Sequence, residues 1–332
     1  MMNSGAQGLR DIVLSWQGKR IGVIGDVMLD HYIEGEVTRI SPEAPVPIVN
    51  VKREWYAPGG AANVAANIAS LGGEVELSGV IGVDEAGDQL VRELKKRGVS
   101  FRATCFPDRP TTEKTRILVG NQQLVRIDRE ACTSVDSGRM QQLWNELVDW
   151  KQAWDVVVIS DYAKGVLATG LPPHIIECAR RRQKPVIGDA KPQNIRAFYG
   201  ATVLMPNELE MRAVLEGLHV ENYCAAAKTL ETLFLVTLGE KGMVSADAES
   251  IEEYPTIPRD VSDNVGAGDT ATAAVALALA FGTAIPDAAR IANAAAGVVV
   301  GKRGTATVST DELLAALDEM GVHEMHPPSR PS

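Results

Sequence analysis

Short, continuously apolar runs recur along the chain, and each is followed by a polar or glycine-containing turn and then by a helix-like segment. The runs lie at 20–26, 156–161, 185–191, 202–208 and 233–242. Segments that are typical of helices lie between them, at 85–97, 136–150 and 171–182. Uninterrupted apolarity is typical of strands that are covered on both faces, as in parallel sheets. The alternation therefore predicts an α/β fold, a doubly wound, mainly parallel sheet flanked by helices.

A polar residue or a glycine follows each of these predicted strands at its carboxyl end. These residues are Asp26, Asp161, Asp189, Asn207 and Gly239. In doubly wound sheets, ligands bind in the crevice outside the carboxyl ends of the strands. We therefore expect these residues to lie near a ligand site, although their placement alone does not indicate a chemistry.

Two segments, at about 31–57 and 108–130, depart from this alternation. The first carries three prolines among alternating residues, and the second reads as two strands around Gly120 and Asn121. A period of two residues is typical of a half-exposed antiparallel sheet. We expect the two segments to form one small antiparallel β-lid above the α/β body. The apolar face of such a lid needs cover, and a second copy of the chain is the simplest cover, so the sequence predicts a homodimer through the lid.

The composition excludes several classes of protein. The chain has 332 residues, of which 45% are hydrophobic and 23% are charged, so it is not a disordered protein. A formal net charge of -10 argues against a nucleic acid or an acidic lipid surface as a partner. The longest apolar stretch, 271–281, is too short to cross a membrane, and no secretory leader precedes the first strand. We expect a cytoplasmic protein with no membrane or nucleic-acid partner.

The strongest chemical signal is the stretch DNVGAGDT at 263–270, which precedes an alanine-rich helical run. Glycines directly before a helix allow backbone amides to converge on an anion, and the helix dipole favours negative charge there. Asp269 lies where it could accept the proton of an attacking hydroxyl, while the amides of Gly266, Ala267 and Gly268 stabilise a phosphoryl group. An ordinary N-terminal aspartate, favoured by the dipole alone, is the alternative.

Two further groups of residues could bind a sugar. Gly59 and Gly60 open a helix on which Asn63 follows on the same face, and such amides could bind hydroxyl groups. Asp26 and Asp30 follow the first strand, and paired acceptors of this kind discriminate against deoxy analogues. The alternatives are a tightly packed helix with polar residues at its rim, and a turn role for Asp26.

Cations on the predicted lid could bind a phosphate group. Lys114 and Arg116 alternate on one face of a lid strand, Arg126 lies on its partner strand, and Lys164 follows another strand. Several cations in a net-acidic protein could hold a substrate phosphate that is remote from the reacting hydroxyl. The alternative is that they only keep an exposed strand face soluble.

Together these motifs resemble those of a known family. The GG-x-x-x-N entry and the D-x-x-GAGD exit lie about two hundred residues apart, as in the ribokinase (PfkB) family of carbohydrate kinases. The strings GDVMLD, ISPEAPVP, PTTEKTRI, QQLVRID, SDYAKG and ANAAAGVVVGKRGT resemble one branch, the D-glycero-β-D-manno-heptose-7-phosphate kinases of lipopolysaccharide-core biosynthesis. The resemblance implies a ribokinase-like fold, with one kinase domain over residues 1–332 that includes the lid.

The resemblance also implies roles for individual residues. Asp269 matches the catalytic base, and Gly266, Ala267 and Gly268 match the anion hole. The residues that match the nucleotide and metal side are Lys191, Asn207, Glu208, Leu209, Glu210, Thr237, Gly239, Gly242 and Asn293. Within that set, Asn207 and Glu210 are implied to bind Mg²⁺, for which carboxylate and water ligands are suited. Glu210 as a plain helix N-terminal acid, and Lys191 as a solvated lysine, are the alternatives.

The implied reaction uses ATP and Mg²⁺ to phosphorylate the C1 hydroxyl of D-glycero-β-D-manno-heptose 7-phosphate, giving the 1,7-bisphosphate. Segments 261–265 and 302–305 are similar to a loop that binds a monovalent cation such as K⁺. Neither a P-loop signature nor the H-x-G-H signature of a fused nucleotidyltransferase domain occurs, so we expect adenylyl transfer to belong to another polypeptide. The alternatives are another sugar or sugar-phosphate kinase of this family, and a catalytically silent sugar-binding protein on the same fold.

Overall fold

The computed structural model of the chain describes residues 5–120, 122–133, 135, 138, 154–167, 170–256 and 264–325. Almost all of the predicted helix at 136–150 and the predicted cation-loop residues 261–263 lie outside these residues. None of the helices in the described ranges has the length and apolarity that crossing a membrane requires.

The described residues form strands and helices in the following order. The strands are β1 (Arg20–Gly25), β2 (Val27–Ile40), β3 (Pro47–Gly60), β4 (Glu74–Gly82), β5 (Ser100–Phe106), β6 (Thr112–Val119), β7 (Gln122–Arg129), β8 (Val156–Ser160), β9 (Val186–Asp189), β10 (Val203–Leu204), β11 (Leu233–Thr237), β12 (Met243–Ala246) and β13 (Ile251–Tyr254). The helices are α1 (Ala6–Leu14), α2 (Ala61–Ser70), α3 (Glu85–Lys96), α4 (Leu171–Arg181), α5 (Glu208–Leu218), α6 (Tyr223–Leu230), α7 (Ala267–Phe281), α8 (Ile285–Val300) and α9 (Thr310–Met325).

The larger sheet has the strand order β13-β12-β11-β10-β9-β8-β1-β4-β5. Its pairs are parallel from β5 to β11, and β12 and β13 continue it as antiparallel strands at one edge. The predicted doubly wound, mainly parallel sheet is therefore confirmed. The chain proceeds outward from β1 in one direction through β4 and β5, and from β8 in the other. The switch point, where a ligand crevice is expected, thus lies between β1 and β8.

Alternate residues of the central strands enter two hydrophobic layers, as the burial of both faces requires. Val23 and Val158 pack in the layer that contains α2, α7 and α8, whereas Ile24 and Val157 pack in the layer that contains α4, α5 and α6. The alanines of α7 are buried around much of its circumference. Small side chains allow this helix to lie close to its neighbours, which fixes the position of its first turn.

The smaller sheet has the strand order β3-β2-β6-β7 and forms the lid. Its two outer pairs are antiparallel, as expected, but the central pair of β2 and β6 is parallel. Both of these strands begin at the α/β body, β2 directly after β1 and β6 shortly after β5, so they extend outward in the same direction. The first lid segment, strands β2 and β3, begins at Val27 and ends at Gly60, so it extends a few residues closer to the body than the predicted bounds of 31–57.

Candidate active site

A cleft of about 120 Å³ opens at the carboxyl ends of the central strands. It lies beside the switch point and is bordered by the first turn of α7 and the N-terminus of α5. The cleft is lined by Tyr162, Asp189, Lys191, Met205, Asn207, Glu210, Thr237, Gly266, Gly268, Asp269 and Thr272.

The N-terminus of α7 opens into this cleft. Gly266 precedes the helix with a φ of +82°, and a Cβ atom there would lie 2.7 Å from Nδ2 of Asn63, so only glycine fits this turn. No side chain of the described residues caps the helix. The first amides of an α-helix have no acceptor within the helix, and together with the helix dipole they favour an anion at this end. The geometry therefore suits the predicted anion-binding role of residues 266–268.

Asp269 is buried in the first turn of α7. Its Oδ2 accepts a hydrogen bond of 2.7 Å from Nδ2 of Asn63, and its Oδ1 accepts one of 2.5 Å from the hydroxyl of Tyr162. Burial raises the pKa of this carboxyl to about 6, although the two hydrogen bonds act in the opposite direction. A carboxylate with such a pKa is deprotonated near neutral pH and can still accept a proton efficiently.

Asn63 belongs to a buried polar network beneath Asp269. The amide of Asn67 donates to the backbone oxygen and to Oδ1 of Asn63, and Oδ1 of Asn67 accepts from Thr270 and from the backbone of Val308. The network links α2, α7 and the segment before α9. Asn63 is therefore held in position to donate to the aspartate.

The carboxylates on the other side of the cleft outnumber the cations. Burial, together with the nearby Asp269 and Glu210, raises the pKa of Asp189 to about 8, even though Lys191 opposes this change. Burial alone would lower the pKa of Lys191, but Asp189 and its ion pair with Glu210 raise it overall. Lys191 therefore stays charged and pairs with Glu210, whereas Asp189 is mostly protonated near neutral pH because no further cation of the described residues compensates its charged form.

Glu210 and Asn207 also form the N-terminal cap of α5. The side chain of Asn207 accepts from the backbone of Glu210 at 2.9 Å, and the side chain of Glu210 accepts from the backbone of Asn207 at 3.0 Å. This capping box stabilises the start of the helix. The alternative of a helix N-terminal acid is thus realised in the structure, but Glu210 also contacts Lys191 and faces the cleft.

The cleft fits a magnesium ion, which the family resemblance implies. The described residues contain no group of three or more His, Cys, Asp or Glu side chains arranged to hold a metal ion. Mg²⁺, however, is usually bound through one or two carboxylates, water and substrate phosphates. Glu210 and Asn207, which carry side-chain oxygens, line the cleft, and a bound cation would favour the ionised form of Asp189, which burial and the neighbouring carboxylates make unfavourable.

On the lid side, two of the predicted substrate-binding residues neutralise each other. Arg116 forms a buried ion pair with Oδ1 of Asp30, and its guanidinium lies 5.3 Å from the ring centre of Tyr32. Thr305 donates to Oδ2 of Asp30 at 2.6 Å, and its backbone amide donates to the hydroxyl of Tyr32 at 2.8 Å. These contacts attach the lid strand β2 to the turn between α8 and α9.

The remaining predicted lid cations lie near one another. Lys114 pairs in register with Asp30 and Asp128, and no carboxylate of the described residues forms an ion pair with it. Burial, and then the charges of Lys164 and Arg126, lower the pKa of Lys114. Lys164 contacts Glu130 at 2.7 Å, and Arg126 contacts Asp128 at 2.8 Å. Within the described residues, the face that carries Lys114 therefore holds a cation without an ion-pair partner.

Comparisons with known proteins agree with this architecture. The family model for the pfkB family carbohydrate kinases matches residues 19–312. The chain belongs to this family. The match places it among the phosphotransferases that act on a sugar hydroxyl.

Relatives and solved structures extend the comparison. The chain is 44% identical over 310 residues to the "Bifunctional protein HldE" of Shewanella amazonensis, and 43% identical over 311 residues to that of Shewanella sp. strain ANA-3. Each alignment covers 91% of the chain but 64% of the relative, so the chain matches less than two thirds of their length. The phosphofructokinase-2 of Escherichia coli in complex with potassium superposes with a TM-score of 0.76 at 21% identity, over 92% of this chain and 99% of that one. A ribokinase of Thermotoga maritima superposes with a TM-score of 0.68 at 23% identity, over 90% and 99%.

Not every residue that the sequence predicted for the pfkB site lies in the cleft. Leu209 is exposed, and Glu208 pairs with Arg212 on the surface of α5, so neither lines it. Asn293 is buried on α8 and donates to the backbone oxygen of Tyr254 at 2.9 Å. Gly239 and Gly242 form the turn after β11 and do not line the cleft themselves, whereas Thr237 does.

On the sugar side of the site, Asp26 and the glycine pair make contacts that involve the backbone. Oδ2 of Asp26 accepts hydrogen bonds from the backbone amides of Tyr162 and Lys164, so Asp26 supports the turn after β8. Its other oxygen, Oδ1, is buried and has no hydrogen-bond partner among the described residues. Gly60 has a φ of +58°, and a Cβ atom there would lie 2.6 Å from the backbone oxygen of Asp26. A Cβ atom at Gly59 would lie 2.7 Å from Oδ2 of Asp30, so the glycine pair allows β3 to approach both aspartates.

The sequence indicated no individual role for Tyr162, placed Thr305 only within the predicted cation-loop segment 302–305, and marked Asp189 only as a residue at a strand end. Tyr162 lies inside the string SDYAKG, directly after Asp161, and that position at a strand end was the only signal for it. Thr305 contacts the lid from a turn distant in sequence, which no local pattern indicates.

Proposed function

We propose that the chain transfers the terminal phosphoryl group of ATP to the C1 hydroxyl of D-glycero-β-D-manno-heptose 7-phosphate. The observation that carries this proposal is the buried Asp269, which lines the acid-rich cleft at the open N-terminus of α7, below a lid whose Lys114 has no ion-pair partner among the described residues. The quoted strings and the identity of 43–44% to the HldE proteins favour a heptose phosphate over other sugars.

In this reaction, Asp269 accepts the proton of the C1 hydroxyl as the oxygen attacks the γ-phosphorus. The amides of residues 266–268 donate to the oxygens of the transferring group, which carry negative charge in the transition state. Lys191 donates to a nucleotide phosphate, and Glu210 and Asn207 hold Mg²⁺. When bound, Mg²⁺ neutralises charge on the nucleotide phosphates.

The lid holds the other end of the substrate. Lys114, Lys164 and Arg126 bind the 7-phosphate, which is remote from the reacting hydroxyl, and Asp26 accepts from sugar hydroxyls. A closed lid excludes water, which would otherwise compete as the acceptor. Asp30 and Arg116, predicted to bind sugar hydroxyls and the phosphate respectively, form an ion pair with each other, so in this proposal they shape the site.

The decisive experiment is a panel of sugar phosphates, assayed with ATP by release of ADP, with the product analysed by ³¹P NMR. We expect turnover with the heptose 7-phosphate and a new phosphorus signal that couples to the anomeric proton. Higher kcat/KM with a fructose phosphate or with ribose would identify another member of the family. ATP binding without any turnover would indicate a silent sugar-binding protein.

We further propose that the chain is a homodimer through the lid, and that a monovalent cation binds beside the turn at 302–305. Several apolar lid residues, among them Ile40, Val51 and Ile127, are more than half exposed, and a second copy would cover them. Light scattering should give twice the monomer mass of 35.5 kDa. Replacing K⁺ with tetramethylammonium should lower turnover if the cation site exists.

A further inference from the structure

Tyr162 occupies a fixed position in the turn after β8. Its backbone amide donates to Oδ2 of Asp26 at 2.9 Å, and the amide of Lys164 donates to the same oxygen at 3.0 Å. Asp26 is itself 1% exposed. The turn is therefore held from below by a buried carboxylate, which limits the positions that the tyrosine ring can adopt.

The side chain of Tyr162 stands between the two halves of the site. Its hydroxyl lies 2.5 Å from Oδ1 of Asp269, and Nζ of Lys191 lies 5.0 Å from the centre of its ring. On the other side, its Cδ2 lies 3.3 Å from where a Cβ atom of Gly60 would be. The ring thus lies beside Lys191 on the nucleotide side and beside Gly60 on the sugar side, and its hydroxyl contacts Asp269.

The phenol is a donor in this contact. Burial and the charge of Asp269 raise the pKa of Tyr162 well above its usual value, so its hydroxyl stays protonated at neutral pH. The two hydrogen bonds from Tyr162 and Asn63 then fix both oxygens of the Asp269 carboxylate. Each carboxylate oxygen can accept more than one hydrogen bond, so Asp269, which lines the cleft, can still accept from a substrate.

We propose that Tyr162 is a positioning residue that orients the Asp269 carboxylate and sets the pH range in which it works as a base. The inference rests on the proposed function in one respect, the role of Asp269 as the base. A hydrogen bond to the charged form of an acid favours that form, so the tyrosine keeps the aspartate ionised at a lower pH than burial alone would allow.

Other groups also act on Asp269 and must stay constant in a test. The charged or titratable groups that face it are Asp30 from β2, Asp189 and Lys191 from the end of β9, and Glu210 from α5, and Asn63 on α2 is its neutral neighbour. A Tyr162→Phe substitution retains all of these and the aromatic ring beside Lys191. It removes one hydroxyl, and therefore isolates the hydrogen bond to Asp269.

The experiment is the pH profile of kcat/KM for the sugar phosphate in the wild type and in Tyr162→Phe. Without the hydrogen bond, the acid limb should move upward by about one pH unit, which by itself lowers the ionised fraction of Asp269 at neutral pH by about twofold, and kcat should fall further because the carboxylate is also less well oriented. KM for ATP should change by less than about twofold, since the ring stays in place. Tyr56→Phe is the matched control: its hydroxyl also donates to a carboxylate, that of Glu54 at 3.1 Å, but on the lid face opposite Lys114, and its profile should coincide with the wild type.

Two measurements keep the test valid if the phenylalanine variant folds poorly or if the substrate is a different sugar. The ¹³C signal of the Asp269 carboxyl, assigned by its loss in Asp269→Asn, can be titrated in the protein without substrate. Incorporation of 3,5-difluorotyrosine at position 162 retains the hydroxyl and makes it a stronger donor, so the titration should move downward.

Opposite movements in the phenylalanine and fluorotyrosine proteins would support the proposal. Titrations that coincide with the wild type in both would overturn it. Failure of every sugar phosphate in the assay would count against the proposed function alone, because the carboxyl titration does not depend on turnover.

Discussion

The cleft and the lid both contain buried titratable groups whose charged forms lack full compensation, carboxyl groups in the cleft and a lysine on the lid. In the cleft, Asp189 and Glu210 share one lysine, and the pKa of Asp189 is raised to about 8. On the lid, Lys114 has no ion-pair partner among the described residues, and its pKa is lowered by burial and by neighbouring cations. The charged form of a buried group is unfavourable unless a neighbouring charge or a ligand compensates it. The cleft therefore suits a cation with a nucleotide, and the lid suits an anionic substrate group.

Within the lid, the neighbouring cations Lys114 and Arg116 also differ in whether a carboxylate compensates their charge. They lie two residues apart on one face of β6, yet Arg116 is paired with Asp30, whereas Lys114 has no ion-pair partner in the part of the chain that the structure describes. Arg116 also stacks beside Tyr32. One cation is thus part of the structure, while the other is available to a ligand.

The largest expected effect on catalysis concerns Asp269, the buried carboxylate in the first turn of α7. Asp269→Asn keeps the size of the side chain but removes the base, so kcat should fall by about 10³-fold, within the usual range for general-base catalysis. The measurement is ADP release at saturating substrates, with thermal unfolding as the control for folding. Turnover equal to the wild type would exclude Asp269 as the base.

Removing the paired lid cation should affect stability. Arg116→Ala leaves Asp30 buried without its cation, and we expect the free energy of unfolding to fall by about 3–5 kcal/mol. Urea denaturation measures it, and Arg129→Ala, a more exposed arginine on the neighbouring strand β7, is the control. An unchanged midpoint would mean that the ion pair contributes nothing to the lid.

Removing the unpaired cation should affect binding instead. Lys114→Ala combined with Arg126→Ala should raise KM for phosphorylated sugars by tenfold or more, about 1.4 kcal/mol. KM for ATP and the denaturation midpoint should change little, in contrast to Arg116→Ala. If KM for the sugar phosphate is unchanged, the lid does not hold its phosphate.

The smallest expected effect is the pH dependence of stability that arises from Asp189. The pKa of Asp189 is raised in the folded protein from its usual value of 3.8 to about 8, so between these values the folded state binds more protons than the unfolded state. Stability should therefore fall as the pH rises from 4 to 8. Asp189→Asn should remove this loss and raise the melting temperature at pH 8 by about 2 °C, with little effect at pH 5. Mg²⁺ with ATP should reduce the difference, because the bound cation compensates the same charge. Equal melting temperatures of variant and parent at pH 8 would contradict this assignment.

Local patterns in the sequence were sufficient for the framework of the site. Continuous apolar runs predicted the strands, and their carboxyl ends located the crevice at which Asp26, Asp189 and Asn207 lie. The glycines at 59–60 and 266–268 predicted close backbone approaches, and the positive φ of Gly60 and Gly266 explains why. These features depend on residues within a few positions of one another, which a sequence displays directly.

Only the tertiary structure decided which polar groups are neutralised and which remain available to a ligand. Arg116 and Lys114 have the same pattern in the sequence, but Asp30 lies 86 residues from Arg116 along the chain and forms its ion pair with that arginine. Tyr162 reaches Asp269 across 107 residues, and Thr305 reaches Asp30 across 275. Ion pairs and hydrogen bonds depend on distances of a few ångströms between residues that the fold brings together, so periodicity and motif spacing do not determine them.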